Sequence, residues 1–406
     1  MTGDRVLSAA DKGIPACAVG RTVAQFLAAG PTIDEFSTPL LVLHRTHLQH
    51  NIATLQSWVD RRGLELMPHG KTTMAPALWS RQIAAGATGL TLATPWQVRV
   101  ARSHGFDTVQ LANALVEPAA IRWAHSEVSS GLSLTTWVDS VAAVDALERV
   151  LGPQQVKMDV LVELGATGGR TGARSIGTAM EIAQRAARSA TVRLAGVAGY
   201  EGAVAHDRTT DSLAAVGRYL AEMLDLHALL GPLYEVDRPI VTAGGSAYFD
   251  LVADAFAPVR GTVPHTRFVL RSGAYITHDE GFYAGISPLA STRYGAGDDR
   301  LIAAARGLAR VLSRPEPGLA LLDAGKRDLP YDEGLPVPLG CGGRVTALND
   351  QHTFLRADQP LPLAVGDVVP LGLSHPCTMF DKWRLLPVVD SWELDAPVVE
   401  LIDTCF

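Results

Sequence analysis

Short runs of apolar, β-branched residues alternate along this chain with longer amphipathic stretches. Runs that read as strands lie at 64–68, 89–94, 108–113, 134–139, 158–163, 194–200, 240–244 and 268–273. They are near-continuous in hydrophobicity rather than alternating in apolar and polar positions. Between them lie alanine- and arginine-rich segments with helical spacing, such as residues 177–187. A strand that is apolar on both faces has to be covered on both faces, and helices crossing over between parallel strands do this. Eight such strands predict an α/β architecture, a (β/α)8 barrel of TIM type. A doubly wound open sheet is the structural alternative.

The flanks have a different texture. Residues 38–44 read as a buried strand opened by Pro39, and a helix follows with His47, Ile52, Leu55 and Trp58 at helical spacing. Beyond about residue 290 the helical alternation stops. Val-, Leu-, Gly- and Pro-rich runs at 319–325, 343–348 and 367–371 read as a β-rich domain. The expected organisation is an N-terminal segment 1–36 packing on the β domain, a barrel over 37–288, and a C-terminal β-rich domain over 289–406. No internal repeat or low-complexity tract interrupts it.

Composition narrows the function. With 406 residues and 47% apolar positions the chain can bury a large core, and its length suits two domains. A net charge of -7 leaves no basic stripe to neutralise phosphates, which argues against a nucleic-acid binder. No apolar run reaches the ~18 residues needed to span a bilayer. The first residues lack a charged-then-apolar signal pattern, and Cys17, Cys341, Cys377 and Cys405 are too scattered for a disulfide framework. A cytoplasmic enzyme with a small-molecule substrate is the expectation, with no nucleic-acid or membrane partner.

Polar residues fall at the C-terminal ends of the barrel strands: Lys71, Thr94, Asn113, Asp139, Glu163, Tyr200 and Gly244-Gly245-Ser246. A barrel builds its active site there. Lys71 is one of few lysines in a chain that mostly uses arginine. At a strand mouth it can form a Schiff base with a carbonyl cofactor, or it can be an ordinary solvated loop lysine. Thr242-Ala243-Gly244-Gly245-Ser246 follows an apolar strand, and two glycines let backbone N–H groups approach an anion while the serine adds a hydroxyl. An aldehyde-seeking lysine paired with a phosphate turn points to pyridoxal 5'-phosphate. Arg170, in the glycine-rich loop after Glu163, can hold a phenolate or a substrate carboxylate. Tyr200 and Tyr275, flanked by glycines, can stack on a ring or simply pack. Ser374-His375-Pro376-Cys377 places an imidazole and a thiol two residues apart, able to meet one cation, with zinc favoured and open positions left for substrate. Asn349-Asp350-Gln351-His352 is a further polar cluster with no assigned role.

Taken together and in this order, Pro68-His69-Gly70-Lys71-Thr72, Arg170, Tyr200, Gly244-Gly245-Ser246, Gly273-Ala274-Tyr275, Asp323-Ala324-Gly325 and His375-Pro376-Cys377 resemble the D-serine dehydratase/D-threonine aldolase family, over about residues 36–390. The resemblance implies pyridoxal-phosphate enzymes of the alanine-racemase-like fold type, a barrel plus a β domain, and a homodimer. It implies Lys71 as the Schiff-base lysine and His375 and Cys377 as metal ligands. Tyr200, Gly244, Gly245, Ser246 and Tyr275 would line the cofactor, with Arg170 near it. It further implies β-elimination of water from a D-configured 3-hydroxy amino acid, giving a 2-oxo acid and ammonia. Retro-aldol cleavage to an amino acid and an aldehyde is the alternative. The family's dehydratases tend to show His-x-Cys at the metal, so Cys377 leans toward elimination. A racemase or a non-catalytic pyridoxal-phosphate carrier is the reading from another class; a carrier of that kind is typically barrel-only, and a racemase needs a second base and no metal.

Overall fold

Two sheets with different logic account for nearly every strand. The computed structural model describes residues 4–260, 265–290 and 299–406. The strands are β1 (Leu40–His44), β2 (Glu65–Leu66), β3 (Leu90–Leu92), β4 (Thr108–Ala114), β5 (Ser133–Val138), β6 (Met158–Leu164), β7 (Val192–Gly199), β8 (Ile240–Ala243) and β9 (Arg267–Leu270). They continue as β10 (Ala305–Glu316), β11 (Leu319–Leu322), β12 (Val337–Pro338), β13 (Arg344–Leu348), β14 (Thr353–Arg356), β15 (Val368–Gly372), β16 (Leu385–Val389) and β17 (Val398–Asp403).

Strands β2 to β9 form an eight-stranded parallel sheet in the order β2-β9-β8-β7-β6-β5-β4-β3. The two ends of that order meet: His69 bridges Thr91 in parallel, and Thr91 N–H donates to Pro68 O at 2.9 Å. The barrel of the sequence reading is therefore present. Strand β2 is short, and its neighbours extend the pairing with β9 through Met67 N–H to Leu270 O and His69 N–H to Arg271 O. Met67, Ala112, Trp137, Leu161, Ala195 and Val269 are among the side chains that fill the interior. All the strands run the same way, so residues just past their C-terminal ends gather at one mouth.

The second sheet has nine strands, in the order β13-β14-β11-β10-β1-β16-β17, with β15 pairing both β10 and β12. Strand β1 lies inside the span 37–288 read as barrel, yet it pairs instead with β10 (antiparallel) and β16 (parallel). Its five residues are all buried, and such a run fits the middle of either sheet. Contacts divide the chain accordingly. One unit comprises the residues up to Leu55, Thr72–Arg81 and the described part of Ala274–Phe406; the other comprises Gln56–Lys71 and Gln82–Gly273. No helix of the described residues is long and apolar enough to cross a membrane.

The N-terminal segment is tied into the mixed-sheet unit by backbone pairing. Ile33 N–H donates to Ala396 O, Asp34 N–H to Leu394 O, and Val398 N–H to Pro31 O. A buried carboxylate adds a second tie. Asp328 accepts from Gly325 N–H at 2.9 Å, Gln351 Nε2 at 3.0 Å and Lys12 Nζ at 3.1 Å. Gln351 belongs to the polar cluster at 349–352, which thus has a structural job. Asp323 likewise accepts from Thr38 Oγ1 at 2.6 Å and Arg310 N–H at 2.7 Å.

Lys12 is partly exposed, so its ion pair contributes little, and the buried donors from Gly325 and Gln351 matter more. Asp328→Ala leaves them unsatisfied and is expected to cost about 3 kcal/mol. Urea unfolding checks this, as a lowered midpoint at unchanged slope.

Candidate active site

At the barrel mouth, Lys71 sits half-buried in the 3-10 turn Gly70–Thr72. Two residues earlier, His69 N–H donates to Arg271 O at 3.1 Å, which fixes the turn to the end of β9. Burial, then the charges of Lys71, Arg271 and Arg170, hold His69 well below the usual imidazole range, so its ring is neutral. Three cations therefore share one neighbourhood. The His69 Nδ1 is buried and finds no hydrogen-bond partner among the described residues.

Arg271 escaped the sequence reading. It follows the apolar run of β9 and is 2% exposed. Its Nη1 donates to Thr242 Oγ1 at 2.7 Å and its Nη2 to Gly199 O at 2.6 Å, so it staples the ends of β7 and β8. The guanidinium lies over the Trp137 ring at 4.9 Å. Its Nε, the indole Nε1 of Trp137 and Nε2 of Gln110 are buried donors with no protein acceptor among the described residues. A buried polar atom left this way calls for a bound group or water. The available signal was a charge closing an apolar strand.

Arg170 is exposed and stands 4.9 Å over the Tyr200 ring. Its loop is held by Arg174, whose Nη1 donates to Thr171 O at 2.8 Å and Gly172 O at 3.1 Å, and whose Nη2 reaches Gly169 O and Arg170 O. Glu163 is buried. Burial pushes its carboxyl up, against the hydrogen bond from Thr171 Oγ1 at 2.8 Å and the charge of Arg170. The turn after β8 is also in place. Gly244 and Gly245 have their N–H groups on the Glu201 carboxylate, and Ser246 follows half-buried. Gly273 leaves room for a close backbone approach, since a Cβ there would lie 2.6 Å from His69 O.

The other predicted residues lie in the mixed-sheet unit. Tyr275 is 2% exposed, in the turn Ala274–Ile276. His375 and Cys377 are half-buried and in contact, the thiol hydrogen-bonding with the imidazole. Thr72, which follows Lys71 in the chain, has its Oγ1 3.6 Å from Cys377 Sγ. His375 takes φ +70°, a left-handed conformation unusual for a residue with a Cβ. Two carboxylates hold it. Asp279 Oδ2 accepts its backbone N–H at 2.9 Å, while Oδ1 accepts from Gly281, Tyr283 and Ala284 N–H. Asp332 Oδ2 accepts from its Nδ1 at 2.7 Å, and Oδ1 from Thr378 Oγ1 at 2.7 Å. Burial works against charging His375, but Cys377 and Asp332 push it up to about 9. Among the described residues no group of three or more His, Cys, Asp or Glu converges as a metal cluster, so His375 and Cys377 stand as a pair.

Comparison with known proteins agrees with this geometry. The profile of the family described as "Alanine racemase, N-terminal domain" matches residues 43–260, and that of "Putative serine dehydratase domain" matches residues 304–389. A D-threonine aldolase of Arthrobacter sp is 28% identical over 377 residues, covering 90% of this chain and 94% of that one. A D-threo-3-hydroxyaspartate dehydratase of Delftia sp. (strain HT23) is 26% identical over 401 residues, covering 89% and 98%. The crystal structure of D-threonine aldolase from Filomicrobium marinum matches at a TM-score of 0.78 with 25% identity, covering 92% of this chain and 97% of that one.

Proposed function

We propose a β-elimination for this chain, which belongs to the pyridoxal-phosphate fold type III family of D-serine dehydratase-like and D-threonine aldolase-like enzymes and is a pyridoxal-phosphate-dependent lyase of D-amino acids. The substrate would be a D-configured 3-hydroxy amino acid, and the products a 2-oxo acid and ammonia. The residues fit the cofactor. Buried donors at Arg271, Trp137 and Gln110 lack acceptors, three cations surround His69, and Gly273 admits a close approach. The donor set at His375 and Cys377 fits a divalent cation, with zinc preferred for imidazole plus thiolate.

Lys71 would hold the cofactor covalently and, once the substrate amine has taken its place, act as the base at Cα. Bound there, pyridoxal phosphate supplies an electron sink for the pair left at Cα. Arg170, over the Tyr200 ring, would take the substrate carboxylate or the cofactor's phenolate. Tyr200 and Tyr275 would pack on the cofactor, and Gly244, Gly245 and Ser246 would line its phosphate end. His375 would bind the cation through Nε2, because Asp332 accepts the proton on Nδ1 and so fixes the tautomer. The cation would supply Lewis acidity at the β-hydroxyl, easing its departure.

One observation carries elimination over C–C cleavage. The donor pair is His-x-Cys, His375 and Cys377 in contact, rather than a histidine with a second carboxylate, and the resemblance links that pair to elimination. The aldolase relative supports the second reading, retro-aldol cleavage with the same residues. A cytoplasmic homodimer belongs to the same proposal, on the strength of the resemblance and the cysteine pattern.

Purified protein is expected to absorb as a lysine-bound pyridoxal phosphate, and Lys71→Ala to lose that band; a colourless wild type saturated with cofactor refutes the lysine's role. Incubation with D-serine, D-threonine and 3-hydroxy-D-aspartate separates the reactions: ammonia and a 2-oxo acid mean elimination, whereas glycine with an aldehyde means cleavage. Asp332→Ala is expected to weaken metal binding by roughly ten- to hundredfold, measured by chelator competition, because the imidazole loses its orienting acceptor.

A further inference from the structure

We infer that Glu201 is the positioning residue of the turn after β8, and that Gly244 and Gly245 seat this carboxylate rather than lending their own N–H groups to the cofactor phosphate. The inference rests on the pyridoxal-phosphate reading above. Glu201 opens the short turn Glu201–Ala203 that follows β7, and it is fully buried. Its Oε2 accepts from Gly244 N–H at 2.9 Å and its Oε1 from Gly245 N–H at 2.6 Å. Both amides expected to meet an anion are thus occupied by an anion that the chain itself supplies.

The fit is specific to this occupant. Gly244 takes φ +100°, which residues with a Cβ rarely adopt. A Cβ on Gly245 would lie 2.9 Å from Tyr200 Cε2 and 3.3 Å from Glu201 Oε1. Gly245 is therefore needed where Tyr200 and Glu201 crowd the turn, and Gly244 for its φ and for Leu270, whose Cδ2 a Cβ would meet at 2.6 Å. From the other side, Ser272 Oγ reaches Gly244 O and Gly245 O, each at 3.2 Å. Amides and carbonyls of the turn are both gripped, from the chain following β7 and from the chain following β9. The buried Arg271 guanidinium is close enough to interact with the Glu201 charge and offsets it. Ser246 comes next in the turn, and its place is set by the two held residues before it.

Replacing Glu201 with Gln keeps the shape but turns one acceptor oxygen into an NH2, which then faces an amide N–H. That sets a donor against a donor, and the turn has to shift. The experiment is an equilibrium titration of the full-length, cofactor-stripped protein with pyridoxal phosphate and, separately, with pyridoxal, which lacks the phosphate. Wild type is expected to prefer the phosphorylated form strongly. Glu201→Gln is expected to reduce that preference by about tenfold or more, with pyridoxal affinity nearly unchanged. A merely structural role would lower both affinities together, and that result overturns the inference. So does an unchanged preference, or tighter binding of pyridoxal phosphate, which would mean that the phosphate displaces Glu201. Should Glu201→Gln not fold, Gly245→Ala presses on the same carboxylate and is read on the same axis with the same outcomes. A wild type that binds neither compound sinks the cofactor reading, and this inference with it.

Discussion

A carboxylate removed from water needs donors, and in this chain most of those donors are backbone amides. Glu201 takes two from the turn after β8. Asp279 takes four, including the one that precedes the His375 side chain. Asp328 takes one from Gly325, and Asp323 one from Arg310. Each of these contacts fixes a loop that hydrophobic burial alone would leave loose, because loops have few apolar side chains to bury. The strands supply the scaffold; the acids decide where the residues between the strands point.

This division explains what could be read from the sequence. The eight barrel strands were legible because a strand buried on both faces has to be apolar throughout, and a run of that kind stands out. The same property hid the placement of β1. Its residues Leu40, Leu41, Val42 and Leu43 would suit a barrel equally well, and only the pairing partners, β10 and β16, distinguish the two. Lys71, His375 and Cys377 draw attention in the sequence because residue type and close spacing can be read locally.

Glu201, Asp279, Asp332 and Arg271 were not legible for the opposite reason. Apart from the amides of Gly281, Tyr283 and Ala284 on Asp279, their partners are tens of residues away in sequence, and many are main-chain groups, which every residue except proline offers alike. Nothing in the letters Gly244 and Gly245 says which acid their amides meet. The only trace was local: Arg271 and Glu201 are charges placed immediately after apolar strands, where an unpaired charge would be costly. That signal marks a residue as engaged without naming what engages it.

The same reasoning bears on how the two predicted centres keep their chemistry. At the barrel mouth three of the unmet groups among the described residues are donors, Arg271 Nε, Trp137 Nε1 and Gln110 Nε2, beside the ring nitrogen Nδ1 of His69. A pocket with spare donors and several cations suits an anionic ring compound rich in acceptors. At His375 the groups are of another kind: Asp332 accepts from Nδ1 of the imidazole, and the Cys377 thiol is hydrogen-bonded to the same ring. The two units thus present different chemistry: buried hydrogen-bond donors in the first, and an imidazole–thiol pair oriented by a carboxylate in the second.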